Sequence, residues 1–339
     1  MINTVYQLVA PRRFEIKYSD IDLNNNKVIV RPTYLSICNA DQRYYQGLRD
    51  AEILRKKLPM ALIHEACGRV IHDPTGTFKV GQSVVMIPNI PGNREEKVIY
   101  ENYGKGGGFL SSGHDGFMRE FVNLPADRVV AFDDIDKRIA AITEFISVGM
   151  HAYLRFSLIS HEYKNSIGIW GDGSLAFIVS SILKKKYPDT KIIVIGKNTS
   201  KLSQFSFVDE TILADDLEEG FNVDHAFECA GGEGSFYAID NIIKYINPQG
   251  TVMLMGVSEN KVPINTRDIL EKGLTFVGSS RSGRVDFENA IKFMEDKSIQ
   301  RRLKSIIYET DEVKNISDIH KAFSVDIDTD FKTVFKWSV

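Results

Sequence analysis

The sequence predicts an α/β protein of two domains, a β-rich domain first and then a doubly wound parallel sheet with helices on both faces. Three observations point there. The chain has 339 residues, more than one hydrophobic core of about 250–300 residues usually serves. Its first part breaks into short apolar and β-branched runs separated by Gly, Pro, Asn and Asp. After roughly residue 150 the texture becomes a regular alternation of strand and helix, the pattern of a parallel sheet covered on both faces.

In the β-rich part, the runs at 28–32, 68–71, 83–87 and 121–124 are the candidate strands. In the second part they are 167–170, 191–195, 226–229, 252–255 and 275–277, with a helix expected over 177–186. A further helix is expected over 287–294, followed by irregular segments that end in the apolar run 332–337. The expected domains are therefore 1–150 and 151–285, with 286–339 as a tail.

Composition narrows the function classes. Hydrophobic residues make up 43%, charged residues 26%, and the formal net charge is −3, which provides no basic field for nucleic acid. Met1-Ile2-Asn3-Thr4 opens without a basic segment and long apolar run, and no stretch of about 18 apolar residues occurs. Neither secretion nor a membrane span is expected. Three cysteines are too few and odd for a disulfide framework and suit a reduced cytoplasm.

Gly171-Asp172-Gly173-Ser174-Leu175-Ala176 follows a candidate strand and opens the candidate helix. Glycines in that strand-to-helix setting let backbone approach a pyrophosphate, which N–H groups and the helix N-terminus then neutralise, as in a Rossmann dinucleotide-binding domain. NAD-selecting sites place Asp or Glu near the end of the second strand, against the ribose 2′-hydroxyl. Here Gly196-Lys197-Asn198-Thr199-Ser200-Lys201 stands at that place, with lysines and hydroxyls and no carboxylate. NADP(H) is the expected coenzyme.

Cys38, His64, Glu65 and Glu144 offer a thiolate, an imidazole and two carboxylates, ligand types that suit Zn²⁺. Their spacing is far looser than a zinc-finger pattern. The surrounding motifs are more specific: Cys38-Asn39-Ala40-Asp41, then Pro59 with Ile63-His64-Glu65-Ala66-Cys67-Gly68, then Glu144-Phe145-Ile146-Ser147-Val148. In that order they resemble the zinc-dependent medium-chain alcohol and polyol dehydrogenases, and the resemblance runs along nearly the whole chain. Cys67 and Cys229 lie in apolar runs and read as core.

The resemblance implies a GroES-like catalytic domain to which the C-terminal tail returns. It also implies one catalytic Zn²⁺ on Cys38, His64 and Glu144, with Glu65 a direct or interchangeable fourth ligand. Asp41 matches a position that hydrogen-bonds a ligand histidine. Three departures stand out. Ala40 replaces the Ser or Thr that begins a proton relay in many members, so proton delivery is left to water, Glu65 or a hydroxyl such as Tyr44, which matches an active-site tyrosine of polyol dehydrogenases. Ile63 replaces the usual Gly before His-Glu. Residues 88–115, where many alcohol dehydrogenases carry a four-cysteine structural zinc lobe, contain no Cys, so one metal per chain is expected.

Within the family, 38–45, 112–118, 171–173, 224–229 and 278–283 resemble the ribulose-5-phosphate reductases, and Ala40 fits that subgroup. This narrower resemblance implies an NADPH- and zinc-dependent reduction of D-ribulose 5-phosphate to ribitol 5-phosphate for teichoic acid and related surface polymers. A cytidylyltransferase would take the product, and a homodimer is expected. Arg43 and Arg281 are the candidate phosphate ligands, with Arg49 a third possibility. Two alternatives stay open on the sequence: a dehydrogenase of unphosphorylated polyols, and a nucleotide-binding sensor or structural protein on the same fold.

Overall fold

The strand Val28–Ser36 forms the centre of the first unit because Val28, Ile29, Val30 and Leu35 are fully buried and neighbours pair with both of its edges. The computed structural model describes residues 1–93 and 98–339. Two units emerge, Met1–Ser147 with Arg281–Val339, and Val148–Ser280.

In the first unit, Val28–Ser36 pairs antiparallel with Glu65–His72, Val122–Leu124 and Lys332–Lys336. Ser83–Met86 and Val129–Ala131 extend one side of this sheet. A hairpin of Ile2–Ala10 with Arg13–Asp20 packs its Val5, Tyr6, Leu8 and Phe14 into the same core. The expected strand-and-turn texture is incomplete here. Helices Asn39–Gln46, Ala51–Lys57 and Lys137–Ala141 interrupt it, each short enough that an N-terminal cap rather than an apolar period defines it. Asp50 and Asp136 cap the second and third through side-chain oxygens that accept backbone N–H groups.

The C-terminal piece also departs from expectation. Its first helix begins earlier, at Arg284–Met294, and the stretch expected to be irregular holds helices Lys297–Lys304 and Ile316–Ile327 and the strand Ile307–Glu309. Asp296 and Asn315 cap these helices, and Ile319, Ala322 and Phe323 supply a buried stripe at three- and four-residue spacing. Both signals are brief, and the polar residues between them obscure the period.

In the second unit, all pairs are parallel, in the order Glu210–Leu213, Lys191–Gly196, Ser166–Trp170, His225–Glu228, Thr251–Leu254, Thr275–Gly278. Buried Ile167, Ile169, Ile193, Val194, Ala226, Phe227 and Val252 fill its strands, as a sheet covered on both faces requires. The chain winds outward from Ser166–Trp170 on one side and then crosses to His225–Glu228 on the other. The order therefore reverses at that pair, where the carboxyl ends of strands leave a crevice.

Candidate active site

Cys38 is the N-cap of helix Asn39–Gln46, and Asp41 at the third helical position returns a carboxylate oxygen to the Cys38 N–H at 3.2 Å. The cap fixes the thiol at the N-terminal end of the helix. His64 and Glu65 sit where a loop enters the strand Glu65–His72. The turn into them is made by Ile63 at φ 68°, fully buried. A left-handed β-branched residue is costly, which is the physical reason glycine is usual there. Two bonds hold it: Ile63 N–H donates to Asp41 Oδ1 at 3.0 Å, and Phe117 N–H donates to Ile63 O at 2.7 Å. Gly116 completes the fit, since a Cβ there would come within 2.4 Å of Ile63 O.

One ligand atom each from Cys38, His64 and Glu65 lies within 4.8 Å of the other two. Glu144 is buried in the first turn of helix Thr143–Ile159 and falls outside that tight trio, though its charge still acts on His64. Burial by itself lowers the His64 pKa; the negative charges of Asp41, Cys38 and Glu144 outweigh it and hold His64 well above the ordinary histidine value. Burial raises Glu144 to about 7, with Glu65 and Asp41 pushing up and His64 and Lys332 pulling down. A site that attracts positive charge this strongly suits a cation at its centre.

Two further details fit a metal. Glu65 Oε1 accepts from the buried ammonium of Lys332 at 2.8 Å, while its Oε2 is buried with no hydrogen-bond partner among the described residues. That orphaned oxygen, a thiol and an imidazole form a donor set matched to Zn²⁺. Asp41 is placed differently from the expected role. Its Oδ1 is 3.7 Å from His64 Nδ1, beyond hydrogen-bond length, and its bonds go to Cys38 N, Ile63 N and Ser111 Oγ. It braces the backbones that carry the two ligands.

Tyr44 and Arg43 share the helix Asn39–Gln46; Tyr44 is buried with the Arg49 guanidinium 4.9 Å from its ring centre, and Arg43 is half-buried in the last turn. Arg281 is exposed, with its guanidinium 5.4 Å from the centre of the Phe109 ring, and Phe109 packs edge-on against His64 at 5.3 Å. Arg281 is linked to the donor cluster through a single intervening ring. Sequence reasoning missed Lys332, Ser111 and Phe109. Each reaches the cluster from far along the chain, and none carries a local motif.

In the second unit, a cleft of about 340 Å³ opens at the crevice between the diverging strands, lined by Gly171, Asp172, Gly173, Gly196, Lys197, Lys201 and Tyr237. Gly171 has φ 135° and no room for a Cβ, which would come within 2.9 Å of Cys229 backbone; Gly173 has nothing within 4 Å of that position. Ser174, Leu175 and Ala176 form the first turn of helix Ser174–Lys186, with Ala176 packed in the core. Asp172 Oδ2 accepts the N–H groups of Lys197 and Asn198, each at 2.7 Å, so its carboxylate shapes the turn. Lys197 Nζ lies 5.1 Å from the centre of the Tyr237 ring. Tyr237 and the buried Glu228, which accepts from Ala230, Gly231 and Gly256 N–H and Ser235 O–H, were also missed by the sequence reading.

Comparison with known proteins agrees with this geometry. Residues 24–134 match the alcohol dehydrogenase GroES-like domain and residues 191–296 the zinc-binding dehydrogenase domain. The chain belongs to this family of zinc-binding dehydrogenases with a GroES-like domain. Among its relatives, the ribulose-5-phosphate reductase of Streptococcus pneumoniae is 56% identical, covering 100% of this chain and 98% of that one. Ribulose-5-phosphate reductase 1 of Staphylococcus aureus is 50% identical over 99% of both. The crystal structure of S. aureus TarJ in complex with NADPH has a TM-score of 0.89 at 46% identity, covering both chains in full.

Proposed function

We propose that this protein reduces D-ribulose 5-phosphate to D-ribitol 5-phosphate with NADPH and zinc. The observation that carries the chemistry is the Cys38–His64–Glu65 donor trio, with half-buried Cys38 beside buried His64 and Glu65, and the Glu65 oxygen unpartnered among the described residues. The substrate reading is supported by full-length similarity to named ribulose-5-phosphate reductases and by the cationic Arg281, whose guanidinium lies over the Phe109 ring that packs on His64.

In this reading Cys38, His64 and Glu65 would hold the zinc, with Glu144 able to join them or to exchange with Glu65. When bound, the metal polarises the substrate carbonyl and NADPH provides the hydride. The chain's own residues do the rest. Asp41 fixes the backbones of Cys38 and Ile63, and Lys332 restrains one oxygen of Glu65. Arg281 grips the phosphate and so orients the ketone. The proton that completes the alcohol comes from solvent by way of Glu65 or the Tyr44 hydroxyl, since Ala40 cannot relay it. The Gly171–Ala176 turn receives the pyrophosphate, and Lys197 and Lys201 receive the 2′-phosphate.

No helix among the described residues is long and apolar enough to cross a membrane. With three free cysteines, the protein is assigned to the cytoplasm, acting as a homodimer and delivering ribitol 5-phosphate to a cytidylyltransferase for teichoic acid or related surface polymers. The deciding assay is coenzyme oxidation by the zinc-loaded protein with ribulose 5-phosphate and with ribulose. A large preference for the phosphorylated ketone is expected. Comparable kcat/KM for both would move the protein to the dehydrogenases of unphosphorylated polyols.

A further inference from the structure

We propose that Phe109 is a specificity residue that sets the distance between the reacting carbonyl and the substrate's phosphate. The inference rests on the sugar-phosphate reading above and adds a residue that neither the sequence motifs nor the family assignment identifies.

One ring meets both ends of the site. It packs on the His64 imidazole in a T-shaped arrangement at 5.3 Å between centres, and the Arg281 guanidinium lies 5.4 Å from its centre. End to end, those spans bound the separation of imidazole and guanidinium at about 11 Å. A chain from a C2 carbonyl to a C5 phosphate crosses five bonds, roughly 6 Å at the advance per bond of an extended chain. A guanidinium–phosphate contact adds about 4 Å between centres. A five-carbon ketose phosphate, at about 10 Å in all, therefore falls within that upper limit, and a polyol without phosphate leaves the guanidinium unpaired.

Arg281 is suited to the task. It is exposed, carries no ion pair among the described residues, and adopts φ 57°. Left-handed backbone at a residue other than glycine is strained, and such strain clusters at functional sites.

Phe109 is equally fixed. Its strand, Gly108–Phe109, pairs with Asn89–Ile90, and the approach is so close that a Cβ on Gly107 would stand 2.7 Å from Ile90 O and one on Gly108 2.9 Å from His114 Nε2. Two residues on, Ser111 donates to Asp41 Oδ1 at 2.8 Å, tying the same segment to the brace of the metal loops. The cysteine-free segment at 88–115 thus delivers an aromatic ring to the site.

The test compares wild type, Phe109→Leu, Phe109→Trp and Arg281→Lys, all zinc-loaded. Three quantities are read: the ratio of kcat/KM for ribulose 5-phosphate over ribulose, the thermal shift produced by inorganic phosphate, and zinc content. Phe109→Leu should lower the ratio by about tenfold, chiefly through KM for the phosphorylated ketone, with zinc content unchanged. It should also abolish the phosphate-dependent shift. Phe109→Trp should retain at least part of both, because a ring face remains, while Arg281→Lys should lose them as Phe109→Leu does. An unchanged ratio and phosphate shift in Phe109→Leu overturns the proposal, as does loss of zinc in that variant, which would make the ring a structural prop. A wild type that does not prefer the phosphorylated ketone overturns the substrate reading itself, a separate result.

Discussion

Asp41 has no solvent exposure, yet its carboxylate carries no bidentate cation; it takes the N–H groups of Cys38 and Ile63 and the hydroxyl of Ser111. Three donors on one buried acid fix the two ligand-bearing loops to each other, and the strained turn at Ile63 persists because of that bond. Asp41→Asn turns part of the acceptor into a donor facing donors. It should weaken zinc binding about 10–100-fold, the range seen when outer partners of metal ligands are removed. Competition with a chromophoric chelator measures this, and wild-type zinc affinity in the variant would count against the brace. In the coenzyme cleft, the Lys197 ammonium has no such web among the described residues and rests over Tyr237. Lys197→Ala should cost NADPH about 1.5–3 kcal/mol of binding, one to two decades in affinity, and leave NADH unaffected. Titration with both reduced coenzymes decides it, and parallel losses would remove Lys197 from the 2′-phosphate site.

At the scale of elements, Glu228 joins two loops at the carboxyl ends of the second unit's strands. Its Oε1 takes Ala230 and Gly231 N–H and the Ser235 hydroxyl, and its Oε2 takes Gly256 N–H at 2.8 Å. Glu228→Gln leaves one buried N–H facing an amide NH₂, so it should cost about 1–3 kcal/mol. Chemical denaturation followed by far-UV circular dichroism tests that loss. The strand that ends in Glu228 was legible in the sequence, and the role of its last residue was not. Five strands of the second unit are apolar runs beside a helix, so local pattern sufficed for them; the edge strand Glu210–Leu213, half-exposed and opened by a charged residue, has no such run and was not expected. The short helix Asn39–Gln46 owes its position to a Cys38–Asp41 cap, which amphipathic period does not register. Likewise the Cys38, His64 and Glu65 trio could be found from the motifs around them. Lys332 reaches Glu65 across 267 residues, and Phe109 reaches His64 by way of a glycine-rich hairpin. Such contacts are properties of the folded chain and leave no periodicity to read.

At the scale of the whole molecule, the two units should respond differently to acid, because the second contains a histidine folded as a neutral ring. His225 is fully buried; its Nε2 stands 3.0 Å from Tyr163 O, to which it donates, and its Nδ1 accepts Thr251 N–H at 3.1 Å. A proton added at Nδ1 meets another N–H. Burial chiefly, then the His161 ring at 4.3 Å between centres and Lys164, lower its pKa to about 4; the Tyr163 carbonyl and Asp224 oppose the shift. The unfolded chain, with an ordinary histidine value near 6.5, binds more protons than the folded one between those limits. Stability is therefore complete above about pH 6.5 and falls as pH drops towards 4, by roughly 3 kcal/mol in all at 1.36 kcal/mol per unit. The two tryptophans separate the units, Trp170 in the second and Trp337 in the first. In a Trp337→Phe protein, fluorescence reports Trp170 alone, and its urea midpoint should drop between pH 7 and pH 4.5 in step with this proton uptake. His225→Gln lacks the titrating group, so it should start from a lower midpoint at pH 7 and fall less steeply. If the two proteins lose stability in parallel on acidification, His225 is not the origin of the acid response.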